Sequence, residues 1–282
     1  MRTKKMILSV LFLNLGMMVW AQTNRFIYQL TRQVGNGPQK DLMVLDVNPK
    51  EVKFYDLKFL ESDSLSKKTP GHVFRTVSST KQVLKRDKNQ HTHLNFFTNN
   101  DSDYFVIPSS DAMDWEVTSV TKKSPENLIL QKARTHFGGR DWEAWFAKEI
   151  PVMEGPYKFN GLPGLIYEIY DTEQKFHYVL VKNKVLGETY ATENFLETYY
   201  DKTPLKINHE QWVKLMLNDY QDPVAYLTRI LKNGGSININ GEDIHSISQL
   251  DQKRKMMQES IIKHYLPIEL DKAIPYPDKP SK

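Results

Sequence analysis

The sequence predicts an α+β fold in which a mostly antiparallel, curved, half-barrel-like β-sheet carries helices from the C-terminal part of the chain. Three observations predict it. Apolar and polar residues alternate with a period of two along most of residues 26–182, no helical pattern separates the successive strand candidates, and helical spacing begins after Leu186. Alternation is typical of strands. Strands that follow one another without crossover helices pair antiparallel.

The strand candidates are short runs rich in β-branched and aromatic residues, separated by polar turns. We expect strands at 26–32, 41–47, 51–59, 72–77, 91–98, 104–108, 115–122, 128–137, 142–150, 165–170 and 176–182.

Three helices are predicted in the C-terminal part. Asn208 and Gln211 have the spacing of a capping box at the start of the first, which carries Trp212 and Met216 on one face. Asp222-Pro223 supplies an N-cap and a first-turn proline for the second, which ends at residues 233–235. Apolar residues at helical spacing indicate a third over 250–266, closed by Pro267.

The N-terminus has the pattern of a cleavable secretory signal over residues 1–21. Basic residues precede an apolar run that ends at Ala21, and Asn14 and Gly16 leave that run shorter than the roughly 18 to 20 residues of a membrane span. We therefore expect an exported protein, periplasmic or secreted, with one globular domain over 22–272, a loose tail over 273–282, and no membrane span after cleavage.

The charge of the mature chain argues against nucleic acid as a partner. The formal net charge of +4 includes Arg2, Lys4 and Lys5, so it falls by three to +1 when the signal is removed. Basic and acidic residues are interspersed over the remainder, which leaves no basic footprint. The chain has no cysteine, so the exported fold has no disulfide to stabilise it.

The most unusual stretch runs from Ile150 to Ile166 and holds two turn pairs. Gly155-Pro156 is the first, and Gly161 leads into Pro163-Gly164, where the glycine suits the second central position of a type II turn. A phosphate-binding loop is excluded because such a loop precedes a helix, whereas this one precedes a strand. We therefore interpret these residues as a structural corner, and the sequence indicates no cofactor.

This stretch and its upstream flank resemble the GLPGLI family, which is named after the hexapeptide at 161–166. The runs Phe137-Gly138-Gly139-Arg140-Asp141-Trp142 and Gly155-Pro156-Tyr157-Lys158-Phe159 are similar to the flanking pattern of that family in its usual order. The resemblance is close over about residues 133–171. It implies an exported bacterial protein of unknown function and brings no catalytic residue with it.

Trp142, Trp145, Tyr157 and Phe159 are the candidate ligand-binding residues. Large aromatic side chains supply much of the buried area of a sheet core, and this interpretation is favoured. The alternative is an apolar groove that binds a lipid, peptide or sugar.

Metal-binding and catalytic patterns are weak. His91 and His93 would lie on one face of a strand, as a metal site needs, but a third ligand is not evident and no metal is favoured. Glu154 and Asp141 are candidate acid/base carboxylates without a supporting motif.

The sequence favours a non-catalytic exported protein that binds or carries a hydrophobic small ligand or a cell-envelope protein. An exported, metal-assisted hydrolase that uses His91 and His93 is one alternative. A structural partner of an outer-membrane assembly, docking through residues 155–164, is another.

Overall fold

The computed structural model describes residues 22–35, 37–99, 102–239 and 241–277. Within them a twelve-stranded, mostly antiparallel sheet dominates the molecule and does not close into a barrel, which confirms the predicted α+β fold with a curved sheet. The predicted signal peptide, 1–21, lies outside the described residues. No helix among the described residues is long and apolar enough to cross a bilayer.

The strands follow the alternating segments of the sequence. In chain order they are β1 (Thr23–Val34), β2 (Gly37–Val47), β3 (Glu51–Asp56), β4 (Val83–Asp87), β5 (Thr92–Thr98), β6 (Tyr104–Ser110), β7 (Glu116–Lys123), β8 (Ile129–Phe137), β9 (Arg140–Ala147), β10 (Leu165–Asp171), β11 (Phe176–Leu186) and β12 (Leu205–Lys206). Their order across the sheet is β12-β6-β5-β4-β3-β2-β1-β11-β10-β9-β8-β7, and only β12 and β6 pair in parallel among these described strands. A separate hairpin is formed by β13 (Ile237–Ile239) and β14 (Glu242–Ile244).

The helices are α1 (Leu57–Lys68), α2 (His209–Gln221), α3 (Ala225–Lys232) and α4 (Ile247–His264), with a short π-helix at Glu193–Glu197 and a 3-10 turn at Leu270–Lys272. The predicted capping box of α2 is confirmed. The Asn208 side chain accepts from the Gln211 backbone N–H at 2.8 Å, and the Gln211 side chain accepts from the Asn208 N–H at 2.9 Å.

The predicted N-cap of α3 is wrong, because Asp222 is the C-cap of α2 and Val224 precedes the first residue of α3. Three further segments differ from the predicted elements. Residues 57–59, expected in a strand, form the start of α1. Among the described residues of this helix, only the side chain of Phe59 is buried. Residues 72–77 form no strand, and the apolar side chains of Val73, Phe74 and Val77 are exposed there. Strand β4 was not predicted because it is short and its sequence, VLKRD, is largely polar.

The register gives the sheet two faces of different character. The inner face carries Leu30, Leu45, Phe54, Trp142 and Tyr178, all 1% exposed or less, and forms the main core. Residues 150–164 and 266–272 pack over it. The outer face is covered over β2–β6 by α1 and by Phe195 and Leu196, which form a second core cluster.

The C-terminal helices attach in two ways. Helix α2 packs on β5 and β6 through Trp212, whose ring lies 5.0 Å from that of Phe97 and 5.9 Å from that of Phe105. Helices α3 and α4 instead form a satellite cluster with β13 and β14. Within the predicted loose tail, Ile274 is buried beside α2, so its first residues are part of the fold; residues 278–282 lie outside the described part of the chain.

Candidate functional site

The motif segment, residues 150–164, is a compact corner that fills the concave inner face. Gly161 N–H donates to the Met153 carbonyl at 3.0 Å, and Ile166 N–H donates to the Glu154 carbonyl at 3.0 Å, so the segment is tied to itself and to β10. A Cβ on Gly155 would lie 2.7 Å from the Ile166 side chain. The segment is therefore clamped against the sheet and leaves no room for a larger residue at this glycine.

Gly164 is required for a different reason from the one the sequence suggested. Its φ is +153°, far from the value of about +80° at the second central position of a type II turn. A Cβ on Gly164 would lie 2.2 Å from the Ala147 carbonyl oxygen at the end of β9. The close approach of the two backbones, and not a type II turn, excludes a side chain here.

The four predicted ligand-binding aromatic residues are all buried, but they lie on both faces of the sheet. Trp142, Tyr157 and Phe159 meet on the inner face, where the rings of Trp142 and Phe159 are 4.6 Å apart and those of Tyr157 and Phe159 are 6.3 Å apart. Trp145 lies on the outer face, opposite Lys132. The structure thus brings three of the four together inside the core, and their role in binding stays a prediction.

The two predicted metal candidates are separated. His91 precedes β5 and is exposed, whereas His93 lies in β5 and its side chain points to the buried inner face. Among the described residues no group of three or more histidine, cysteine, aspartate or glutamate side chains is arranged to hold a metal ion. Glu154 and Asp141 are also apart, since Glu154 is buried against Arg86 and Asp141 is exposed beside His136.

A cluster of charged side chains is buried between the sheet and the motif segment. Lys158, 2% exposed, donates to Glu269 Oε1 at 2.6 Å and to Ser109 Oγ at 3.0 Å, and its ammonium lies 2.8 Å from Asp111 Oδ2. Lys272 bridges the same two carboxylates, at 2.7 Å from Asp111 and in direct contact with Glu269. The Tyr157 hydroxyl donates to Glu269 as well. We call these side chains the inner cluster.

The protonation states of the inner cluster follow from pairing within a buried site. Burial alone would raise the pKa of Asp111 and of Glu269, but the ammonium groups of Lys158 and Lys272 outweigh it and hold both pKa values below their usual range. Burial and the nearby cations of Lys158 and Arg86 lower the pKa of His93 to about 4. At neutral pH two carboxylates therefore face two ammonium groups beside a neutral imidazole.

The C-terminal segment 266–272, which we call the strap, completes the inner cluster. Arg140 donates to the carbonyls of Pro267 and Ile268 at 2.9 and 3.0 Å, and the Leu270 N–H donates to the Gly138 carbonyl at 2.6 Å. The sequence did not reveal this contact because the strap lies more than a hundred positions from Gly138 and Arg140. The only signal was the unexplained glycine pair in the GLPGLI-like flank.

The outer face of β7–β11 carries a ladder of charged and aromatic side chains, whose exposure runs from 9% at Trp145 to 55% at Arg134. Glu143 accepts from Lys132 at 2.7 Å, from Arg134 at 3.1 Å and from the Tyr170 hydroxyl at 2.8 Å. Glu168 pairs with His177 at 2.8 Å and with Lys122. The ammonium of Lys122 lies 4.3 Å from the centre of the Trp145 ring, a cation–π contact. We call this set the outer ladder.

Two surface concavities adjoin these regions. One, of about 350 Å³, lies at the end of β8 and the start of β9, where the outer ladder ends. The other, of about 470 Å³, lies at the start of α2. The first is lined by Asp114, Glu116, Arg134, Thr135, His136, Asp141, Trp142, Glu143 and Thr172. The second is lined by Pro108, Lys206, Ile207, Asn208, His209 and Gln211.

Comparison with known proteins gives a family match over part of the chain. Residues 107–168 match a family described as a protein of unknown function (Porph_ging), and this region contains the motif segment and much of the inner cluster. No curated protein matches the chain.

Two solved structures share the fold. The chain is similar to PNGF-II in its C2 and P21 space groups, each with a TM-score of 0.51, at 15% and 14% sequence identity. Each match covers 71% of this chain but 34% of the other, so the chain spans about a third of the length of PNGF-II. At this identity the likeness concerns the fold alone.

Proposed function

We propose that the protein is a non-catalytic, exported binding protein that contacts a cell-envelope protein through the outer ladder. The observation that carries this proposal is that apolar elements pack over one half of the outer face, whereas charged side chains occupy the other half. On the outer face, α1 packs against β2 and β3, and Phe195 and Leu196 extend this cover over β4–β6. The outer face of β7–β11 instead carries a row of paired charges that covers Trp145 and reaches solvent at Lys122 and Arg134.

A carrier for a hydrophobic small ligand has less support, because the motif segment occupies the concave face. Phe159 and Trp142, at 0% and 1% exposed, fill the space that such a ligand would need. Ligand pockets are typically concave and largely apolar, whereas charged side chains contribute much of the lining of the concavity at the end of β8.

The metal-assisted hydrolase has less support for a related reason. His93 is buried under the motif segment while His91 is exposed, so the two histidines do not converge on a substrate-sized space. The titratable groups near His93 already pair with one another in the inner cluster.

Docking through residues 155–164 has less support as well, since Gly155, Tyr157 and Phe159 are buried against the sheet. We therefore place the contact with an envelope partner on the outer ladder.

The chemistry of the outer ladder fits a protein partner better than a polyanion. Its cations, Lys122, Lys132 and Arg134, alternate with Glu143 and Glu168 at contact distance, so the surface has little net charge to attract nucleic acid or anionic lipid. Aromatic residues and arginine are enriched in protein interfaces, and the half-buried Tyr170 and the exposed Arg134 supply them here.

Site-specific photo-crosslinking in the producing cell tests the proposal. A photoreactive residue replaces Arg134, which is 55% exposed on the outer ladder, and in a matched control it replaces Lys214, which is 71% exposed on α2. We expect a discrete protein adduct from position 134 and none from position 214. Equal adduct patterns, or none from position 134, would contradict the proposed surface.

Two further measurements test the other parts of the proposal. Native mass spectrometry of protein from an envelope fraction should give the mass of the chain alone, because a bound lipid would favour the carrier. The N-terminal residue of the protein recovered outside the cytoplasm should be Gln22, and recovery of the uncleaved chain in the cytoplasm would remove the export component.

A further inference from the structure

The strap is held by contacts that recognise a peptide backbone and one carboxylate. Arg140 donates hydrogen bonds to two successive carbonyls of the strap, and the Gly138 carbonyl accepts one from the Leu270 N–H. Tyr157 and Lys158 together receive the Glu269 carboxylate. Backbone hydrogen bonds combined with a pocket for one side chain are a recurrent way of binding an extended peptide.

The surface under the strap is shaped for close approach of a backbone. A Cβ on Gly138 would lie 2.9 Å from Glu269 Cγ and 3.0 Å from Glu269 Cα, and a Cβ on Gly139 would lie 3.1 Å from Leu270 Cβ. Both glycines have positive φ, at +63° and +72°. A side chain at either position would push the strap away. We call the surface formed by Gly138, Gly139, Arg140, Tyr157 and Lys158 the cradle.

The cradle and the strap are separate parts of the sequence. All five cradle residues lie within the region 107–168 that matches the family of unknown function, whereas the strap lies outside it. The cradle therefore acts as a binding surface and the strap as its ligand, and a long stretch of the same chain joins the two.

The strap is also lightly anchored compared with the strands around it. It contributes no strand to the sheet, its Leu270 side chain is 43% exposed, and Leu266 and Ile268 are only partly buried against the core. A segment with few buried apolar contacts opens at lower free energy than the core strands. The strap can then leave the cradle while the sheet stays folded.

We propose that the cradle is a peptide-binding site and that residues 267–270 are its resident, displaceable ligand, so that the same segment of a second copy can fill it. The ligand class is a peptide that presents backbone carbonyls to Arg140 and a glutamate to Tyr157 and Lys158. This inference is independent of the proposed partner on the outer ladder, since the two surfaces lie on opposite faces of the sheet.

The test uses the full chain and a fluorescent peptide of residues 265–277. The tethered strap competes at high effective concentration, so the wild-type protein should bind the peptide weakly. In Glu269→Gln the tethered strap loses its charge-assisted bonds to Tyr157 and Lys158, and we expect about tenfold tighter binding of the wild-type peptide. A peptide that carries the same Glu269→Gln change should bind neither protein. Glu259→Gln, on the exposed side of α4, is the matched control and should bind like the wild type.

A second variant covers the case in which Glu269→Gln does not fold. Lys272→Ala removes a partly exposed strap contact to Asp111 and Glu269 and should also bind the peptide more tightly than the wild type. The proposal is overturned if neither variant gains affinity over the Glu259→Gln control, or if the Glu269→Gln peptide binds as well as the wild-type peptide.

Discussion

The inner cluster and the outer ladder are built from the same residue types on opposite faces of one sheet, and their surroundings give them different roles. In the inner cluster Lys158, 2% exposed, pairs with two carboxylates beneath the motif segment. In the outer ladder Lys132 pairs with Glu143 at a similar distance, and both side chains keep partial contact with water, at 16% and 17% exposed. A buried charge that loses its partner keeps its desolvation penalty, whereas an exposed one is resolvated. The inner charges therefore hold the motif segment and the strap on the sheet, whereas the outer charges are free to exchange partners.

The largest expected effect separates the two lysines. Lys158→Met leaves Asp111 and Glu269 with fewer partners in a buried site and should lower the free energy of unfolding by about 3–5 kcal/mol. Lys132→Met on the outer ladder should lower it by less than about 1 kcal/mol, because Arg134 still pairs with Glu143. Urea titrations of both variants measure the difference, and equal losses would contradict the distinction between the two faces.

The next largest effect is on the pH dependence of stability. The pKa of His93 falls from 6.5 to about 4 because of burial and the cations of Lys158 and Arg86. Between these pH values the unfolded chain binds a proton that the folded chain does not, so stability is full above pH 6.5 and falls as the pH drops towards 4. The shift corresponds to about 3 kcal/mol.

His93→Gln should remove this slope, as followed by urea titrations across that pH range, while His136→Gln on the exposed outer face should keep it. Asp111 and Glu269 have lowered pKa values, so their stabilisation is lost only below about pH 4, as the pH falls towards their folded values. An unchanged slope in His93→Gln would show that His93 is not buried as described.

A smaller effect compares two tyrosine hydroxyls. Tyr28 is fully buried and donates to the Ile166 carbonyl at 2.6 Å, so Tyr28→Phe should cost about 1–2 kcal/mol. Tyr170 donates to Glu143 at 2.8 Å on the outer face, and Tyr170→Phe should change stability by no more than about 0.5 kcal/mol. Thermal unfolding of the pair tests the comparison, which fails if Tyr170→Phe is the more damaging change.

The parts of the fold that depend on local pattern were predictable, and those that depend on distant partners were not. The capping box at Asn208 and Gln211 placed the start of α2, and alternation located most strands, because both signals lie within a few residues. Helix α1 was not predicted because its sequence has almost no amphipathic pattern, and the helix buries little beyond the Phe59 side chain.

The candidate site shows the same division. The sequence marked residues 155–164 as a corner, but Lys158 gave no sign of burial because its partner Glu269 is 111 positions away. The strap, which explains the glycines at 138 and 139, could be found only once the chain was folded.

Binding through the outer ladder is tested by measuring crosslinking and stability on one outer-ladder variant. With the photoreactive residue at position 134, Lys122→Glu reverses the charge beside Trp145 and Glu168. We expect about a tenfold loss of the protein adduct, with the free energy of unfolding changed by less than about 1 kcal/mol. An adduct of undiminished yield would contradict the assignment of the outer ladder as the binding surface.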